Sequence, residues 1–398
     1  MENGVYLDNA ATSYPKPPCV RAAVLHALDS VHASAGRGAY REAKEAGHIL
    51  DSTRASLARL LRVQAPERIV FTLNCTDALN LAIKGVLRAG WGSTQGAQSA
   101  SRALPRVVTT DMDHNSVLRP LAALQQQQGI EVERVPADAD GCVAATSFTA
   151  ALRKPTRLVV MQHASNVSGS FQPIAEVAQA AHAAGALFLV DAAQTMGSLP
   201  LYPEALGIDL LAFPGHKSLL GPQGTGALWV APHVDLSTVR EGGTGSRSEE
   251  ATQPAFWPDR HEAGSHNLIG LAGLGAAVEW ILNEGVENIA ARKHALIERM
   301  LAGLSDIRGV TLHGPKQAAR RTAVFSLTFA GQDPMEVGRQ LDLRHGVKAR
   351  AGLHCAPFAH RTLGTLPHGA VRLSAGTFTS IEDVDRALAA VADLARGC

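Results

Sequence analysis

From residue 69 onward the chain repeats one pattern: a short apolar run, then a longer stretch with apolar positions at helical spacing. The runs are Ile69–Thr72, Val107–Thr110, Leu158–His163, Leu187–Asp191 and Leu210–Phe213, and Gly224–Val230 reads as a further strand. Such alternation predicts an α/β fold with a mostly parallel sheet covered by helices on both faces. In that architecture ligands gather beyond the carboxyl ends of the strands. Ahead of the repeat come an extended piece, Val5–Ala10, and a bend at Pro15, Pro17 and Pro18. Helical patterns follow at Val20–Val31 and Glu42–Leu61, flanking the glycine-bracketed loop Ser34–Tyr40, which carries Arg37. Trp91–Pro105, rich in Gln, Ser and Gly, predicts a surface loop without chemistry.

After Gly264 the pattern changes. Two long helical stretches, His266–Leu282 and Glu287–Leu304, precede strand-like segments at Val310–Gly314, Ala323–Ala330, Val347–Ala349 and Ala370–Ser374. Helices are predicted at Pro334–His345 and Ile381–Ala395, the latter opened by a Ser380/Asp383 capping box. The expected division is a large α/β domain over 17–282 and a smaller α+β domain over 283–398, joined by the segment 1–16. No internal repeat is visible.

A length of 398 residues supports two domains, and 46% hydrophobic with 18% charged residues describes a soluble globular chain. The net charge of +1 without a basic stripe argues against nucleic acid or an anionic membrane as partner. No apolar run reaches the roughly 20 residues of a membrane span, and the N-terminus lacks the pattern of a secretory signal. The cysteines, Cys19, Cys75, Cys142, Cys355 and Cys398, are odd in number and lack CxxC spacing. No disulfide framework or metal site is therefore expected, and a reducing cytoplasm is the expected location.

The chemistry concentrates where strands end. Lys217 lies in AFPGHKSLLGPQGTGALWV, a Gly- and Pro-rich turn between apolar strands. Burying an ammonium there is costly, which a Schiff base with an aldehyde cofactor would relieve; a Lys extending to solvent is the alternative. Asp191 ends LFLVD and could pair with a cationic ring nitrogen or cap the next turn. Thr76 and Asp77 open a helix whose N-terminus offers N–H groups to an anion or is simply capped; Asp77 should point away from any phosphate. His114 and Asn166 follow other strands, where each could contact a ligand or only its own loop. Cys355, in ARAGLHCAP, has Arg350 and His354 nearby, and cationic neighbours favour a thiolate; an inert Cys is the alternative. Arg372, a cation inside a strand, could hold a carboxylate bidentately or face outward.

In order along the chain, YLDNAAT, NCTDALN, DHNSVLRP, HASNVSG, VDAAQT, GHKSLLGPQGTG, GGTGSRSE, HEAGSHN and RAGLHCAP resemble the motifs of the cysteine desulfurase branch of class V aminotransferases. The resemblance covers nearly the whole chain. It implies the fold-type I architecture of pyridoxal-phosphate (PLP) enzymes, with a mostly parallel seven-stranded sheet. It further implies conversion of L-cysteine to L-alanine, with sulfur carried as a persulfide. By resemblance, Lys217 is the Schiff-base lysine and takes the Cα proton, Asp191 partners the pyridine nitrogen, and His114 stacks on the ring. Gln194 and Asn166 would surround the phenolic oxygen and the substrate. Thr76 and His216 would be phosphate ligands, with Asp77 among the cofactor-binding residues. Gly264 and Ser265 would reach the phosphate of a neighbouring subunit, implying a homodimer. Arg372 would hold the substrate carboxylate, with Asn166, Arg350, Ala10 and Arg37 as further substrate contacts, and Cys355 would take the sulfur for a possible acceptor protein. Selenocysteine lyases, other C–S lyases, an amino-acid epimerase and true class V aminotransferases share the scaffold; Cys355 favours a desulfurase or selenocysteine lyase. Two departures stand out. Pro214 replaces the Ser or Thr usual before GHK, removing a donor worth about 1.5–3 kcal/mol, and Trp91–Pro105 is longer than the usual turn.

Overall fold

The computed structural model describes residues 4–36, 38–89 and 104–396; Arg37, Cys398 and all of the Trp91–Pro105 loop but its last two residues lie outside the described residues. The chain opens with strand β1 (Val5–Tyr6) and helices α1 (Pro18–His26) and α2 (Arg41–Leu61). It then alternates β2 (Ile69–Thr72), α3 (Cys75–Arg88), β3 (Arg106–Thr110), α4 (Asn115–Gln128), β4 (Glu131–Val135), α5 (Ala145–Ala151), β5 (Leu158–Gln162), α6 (Ile174–Ala183) and β6 (Leu187–Asp191). Strands β7 (Leu210–Pro214) and β8 (Gly226–Val230) and helix α7 (Leu268–Glu284) complete this part.

β2 through β8 form one sheet in the order β2-β8-β7-β6-β5-β3-β4, in which only β8 runs against the others. Every residue of β2, β3, β5, β7 and β8 is buried, as expected for strands covered on both faces, so unbroken apolar runs made them legible. β4 was missed because it is an edge strand, with Glu131 exposed and only Val135 fully buried. The helix expected over Val20–Val31 ends at His26; Ala27–Val31 continues as a wider π turn that buries both Ala27 and Val31.

The remaining elements are α8 (Val286–Ser305), β9 (Val310–His313), β10 (Val324–Phe329), α9 (Pro334–His345), β11 (Val347–Lys348), β12 (Arg350–Gly352), α10 (Pro357–Thr362), β13 (Ala370–Ser374) and α11 (Ile381–Arg396). Four of the strands make an antiparallel sheet ordered β12-β13-β10-β9, while β1 pairs in parallel with β11. A second apolar cluster forms here, in which Val5 and Leu7 of the N-terminal segment pack with residues such as Leu296, Phe325 and Val391. Each fully buried Leu, Val or Phe in such a cluster contributes about 1.5–3 kcal/mol. α11 opens on a reciprocal cap, Asp383 N–H to Ser380 Oγ at 3.1 Å and Ser380 N–H to Asp383 Oδ2 at 3.0 Å. Ala356, Ala359 and Leu363, just beyond β12, cross back to the first cluster and pin the intervening loop against the large sheet's layers.

One buried ion pair ties α2, β2 and the segment before α7 together. Arg54 donates to both carboxylate oxygens of Glu262 at 2.8 and 3.0 Å, and Glu262 also accepts from Phe71 N–H at 2.6 Å. His266 Nε2 lies 2.7 Å from Glu262 Oε2. Burial alone would raise the Glu262 carboxyl, but Arg54 and His266 outweigh it and hold the pKa below the usual value. A depressed carboxyl pKa stabilises the fold above the unfolded value, and this contribution is lost as pH falls through the folded one. Glu262→Gln is expected to cost roughly 3 kcal/mol in denaturant unfolding at pH 7, and less as the pH is lowered below about 4. Equal stability of variant and wild type at pH 7 would contradict this account.

Candidate active site

Because β2, β3, β5, β6 and β7 run parallel, their carboxyl ends open on one edge, and the chain segments leaving them line one pocket. β2 leads to Asn74, Cys75 and Thr76; β3 to His114 and Ser116; β5 to Ala164 and Asn166; β6 to Ala193 and Gln194; β7 to His216 and Lys217. Of the residues singled out in the sequence, Thr76, His114, Asn166, Asp191, Gln194, His216 and Lys217 meet here.

Lys217 is held by a turn that closes on itself. Gly215 N–H donates to Thr225 O at 2.8 Å, Leu220 N–H to Lys217 O at 2.8 Å, and Gly221 N–H to Gly215 O at 2.8 Å. Gly215 is required because a Cβ there would strike the Thr225 side chain. The N-terminal segment clamps the neighbouring carbonyl: His216 O accepts from Ser13 N–H at 3.1 Å and from Lys16 Nζ at 2.9 Å, with Thr12 Oγ1 at 3.2 Å. The surface Lys217 retains borders the pocket, and its amine makes no hydrogen bond among the described residues. Burial lowers its pKa, and Asp191 only partly opposes that. Asp191 in turn is raised by burial, offset in part by Ala193 N–H at 2.9 Å from Oδ1 and by Lys217. Cys75 Sγ also donates to Oδ1, at 3.4 Å. Among the described residues Oδ2 has no partner and is not sealed in the protein, and Asp191 lines the pocket.

His114 caps α4: Ser116 N–H donates to His114 Nδ1 at 3.0 Å. A backbone donor requires an unprotonated Nδ1, which puts the proton on Nε2. Burial, aided by Lys217, lowers the His114 pKa to about 4. Ser116 Oγ lies 2.7 Å from Thr76 Oγ1, so two hydroxyls stand together between the N-termini of α3 and α4. Gly226 lets β8 lie against this corner, since a Cβ there would come within 2.7 Å of the Asn74 carbonyl carbon. The true cap of α3 is Asn74, whose side chain accepts from Asp77 N–H at 2.9 Å. Asp77 does not enter the pocket: its carboxylate accepts from Leu73 N–H at 3.1 Å, completing that cap. Asn166 donates from Nδ2 to His354 O at 2.8 Å, whereas its buried Oδ1 has no partner among the described residues.

Of the described substrate-side residues, Asn166 lines the pocket, whereas Arg372, Arg350 and Ala10 stand just outside its lining. Arg372, buried in β13, pairs with Asp8 at 2.8 Å and donates to Asn166 O at 3.1 Å. Arg350 stands opposite it in the β12–β13 register. Ala10 accepts from Gln194 Nε2 at 3.2 Å. Cys355 is exposed on the loop between β12 and α10, with both His354 and Cys355 in the left-handed region at φ 50° and 57°. Such positions cost about 1–3 kcal/mol each. Here they are held by Asn115 N–H to Cys355 O at 2.9 Å, by Asn166, and by a His354–His360 contact of 3.2 Å. Gly264 and Ser265 lie outside the Lys217 pocket, exposed in a separate cavity with Leu73 and Asn267.

The sequence reasoning missed Cys75, Ser116 and Gln162. Cys75 and Ser116 lie beside singled-out residues, and the helix-opening spacing was the available signal. Gln162, the last residue of β5, gave no signal distinguishable from an ordinary strand end. Since His114 is neutral and its Nδ1 is occupied, its ring should not titrate between pH 5.5 and 8 in a histidine NMR titration. A midpoint near 6.5 for this residue would contradict the buried, backbone-capped geometry.

Comparison with known proteins places this arrangement. The chain matches the aminotransferase class-V family over residues 5–387. It is 33% identical over 389 residues to a protein named "Probable cysteine desulfurase" in Methanothermobacter thermautotrophicus, covering 96% of this chain and 93% of that one. It is 32% identical over 390 residues to a cysteine desulfurase of Yersinia pestis, covering 97% and 92%. Among solved structures, the cysteine desulfurase of Thermococcus onnurineus superposes with a TM-score of 0.87 at 29% identity, over 99% of this chain and 95% of that one. The cysteine desulfurase CsdA of Escherichia coli gives 0.85 at 27%, over 99% and 95%. With a family match over residues 5–387, the same fold and relatives matched over nearly their whole length, the chain belongs to the class-V aminotransferase family.

Proposed function

We propose that the protein is a PLP-dependent cysteine desulfurase, taking L-cysteine to L-alanine and the sulfur onto Cys355 as a persulfide. The observation that carries this is the unpaired, enclosed Lys217 amine beside an Asp191 carboxylate with one oxygen open, in a family whose full-length relatives are named cysteine desulfurases.

The open atoms of the pocket fit PLP. Asp191 Oδ2 suits a protonated ring nitrogen, and Asn166 and Gln194, which line the same pocket, would stand near the ring's substituents. Thr76 and Ser116 hydroxyls at two helix N-termini suit a phosphate, and Ser116 supplies a donor where Pro214 has none. PLP, when bound, contributes the carbonyl carbon that joins amines and a ring that accepts the electron pair released at Cα.

The chain's own residues do the rest. Lys217, whose ammonium is disfavoured by burial, takes the Cα proton as a neutral amine. Asp191 keeps a positive charge at the ring nitrogen favourable. Neutral His114, with its proton on Nε2, offers a donor to the pocket. Arg372 and Arg350 hold the substrate carboxylate at the rim, Asp8 keeping Arg372 aimed. The Cys355 thiolate bonds to the substrate sulfur as the Cβ–S bond breaks, and the carbon product takes up a proton to become alanine. Exposure of Cys355 suits onward delivery to an acceptor protein, and a free thiol suits a reducing cytoplasm. Gly264 and Ser265, exposed and outside their own pocket, suit a homodimer in which they complete the partner's site.

Lys217→Ala should remove the visible absorption of the bound cofactor and lower sulfide release by about 10²-fold or more; a coloured, active variant would overturn the assignment. Cys355→Ala should take sulfide release to background while cofactor uptake persists. Unchanged sulfide yield in that variant would indicate a simple C–S lyase.

A further inference from the structure

Away from the Lys217 pocket, a second cleft of about 510 Å3 opens beside α8, within the roughly 300–1,000 Å3 range of small-molecule sites. One wall is α8, through Ala290, Lys293 and Ile297; the others are Phe171 with Leu199, and the turn 318–322. The lining is largely hydrocarbon, with one exception that the fold does not explain. Lys293 is only 8% exposed, yet among the described residues its amine has neither a hydrogen bond nor a carboxylate in ion-pair reach. Because the amine is unpartnered but not sealed in the protein, it reaches the cleft.

Of its cationic neighbours, Arg321, also on the cleft, donates to Pro315 O at 2.6 Å and Ser168 O at 3.1 Å, its sealed Nε having no partner among the described residues, and His294 faces Glu298 at 3.5 Å. Desolvating an amine without a counter-charge is unfavourable, and burial alone lowers its pKa to about 8. A Met or Leu would fill this position on α8 at lower cost. The missing element is therefore an anion, and the surrounding surface calls for one that carries hydrocarbon.

We infer that this cleft binds a small amphiphilic carboxylate, its head on the Lys293 amine and its chain along Ile297, Leu199 and Phe171. The site is independent of the desulfurase chemistry, since none of these residues lines the Lys217 pocket. The far wall nonetheless reaches the turn that leaves β6: Leu199 N–H donates to Thr195 O at 3.1 Å, one residue beyond Gln194.

Calorimetric titration of the cofactor-loaded protein with octanoate, and with octanol as a neutral match of equal length, tests the site. Octanoate should bind once per chain and at least about tenfold more tightly than octanol, the weight of one charge-assisted hydrogen bond. Lys293→Met, which removes the charge but keeps the volume, should erase that preference without lowering the melting temperature. Ala290→Glu, three residues earlier on α8, supplies an internal carboxylate and should block octanoate while the protein stays folded. Failure of octanoate to bind, or equal affinity in wild type and Lys293→Met, would overturn the proposal.

Discussion

The site depends on keeping one amine largely desolvated. Lys217 emerges from β7 at the carboxyl edge of the sheet, half-buried among the strand ends with Asp191 as its principal opposing charge. In water an amine of this kind is an ammonium and a poor base; desolvation moves it toward the neutral form. The same burial raises Asp191, while the charge of each group favours the ionised form of the other, so burial and mutual attraction pull the pair in opposite directions. Fixing the GHK turn through Gly215, Thr225 and the N-terminal Ser13 and Lys16 is what makes this poise reproducible.

Segments anchored in the smaller apolar cluster reach the site. The N-terminal segment begins in the small cluster through Val5 and Leu7, then crosses to clamp His216. Arg372 bridges Asp8 to the Asn166 carbonyl, and Asn166 in turn holds the Cys355 loop. A single hydrogen-bonded chain thus connects the rim of the pocket to the exposed sulfur. Cys355 is therefore placed by backbone and buried polar groups while its thiol stays accessible.

Much of this was legible in the sequence because the parallel strands are continuous apolar runs and because the reactive residues follow them directly. Lys217, Asp191, His114, Thr76 and Asn166 each sit within a few residues of a strand end, so topology alone brings them together. Features determined by edges and long-range partners stayed hidden. β4 lacks a buried run, and Asp77 turned out to serve the α3 cap. Ser116 declares itself only once α3 and α4 are seen to start side by side, and Glu262 only once Arg54 is found facing it from across 208 residues of chain. Lys293 reads as an ordinary helix position until its surroundings prove to be apolar.

The central claim is that sulfur leaves the substrate onto one named cysteine. Brief reaction of the cofactor-loaded protein with L-cysteine, followed by alkylation and peptide mass spectrometry, tests it most directly. The account predicts one additional sulfur on the peptide bearing Cys355 and none on those bearing Cys19, Cys75 or Cys142. Formation of alanine with no added sulfur at Cys355 would contradict it.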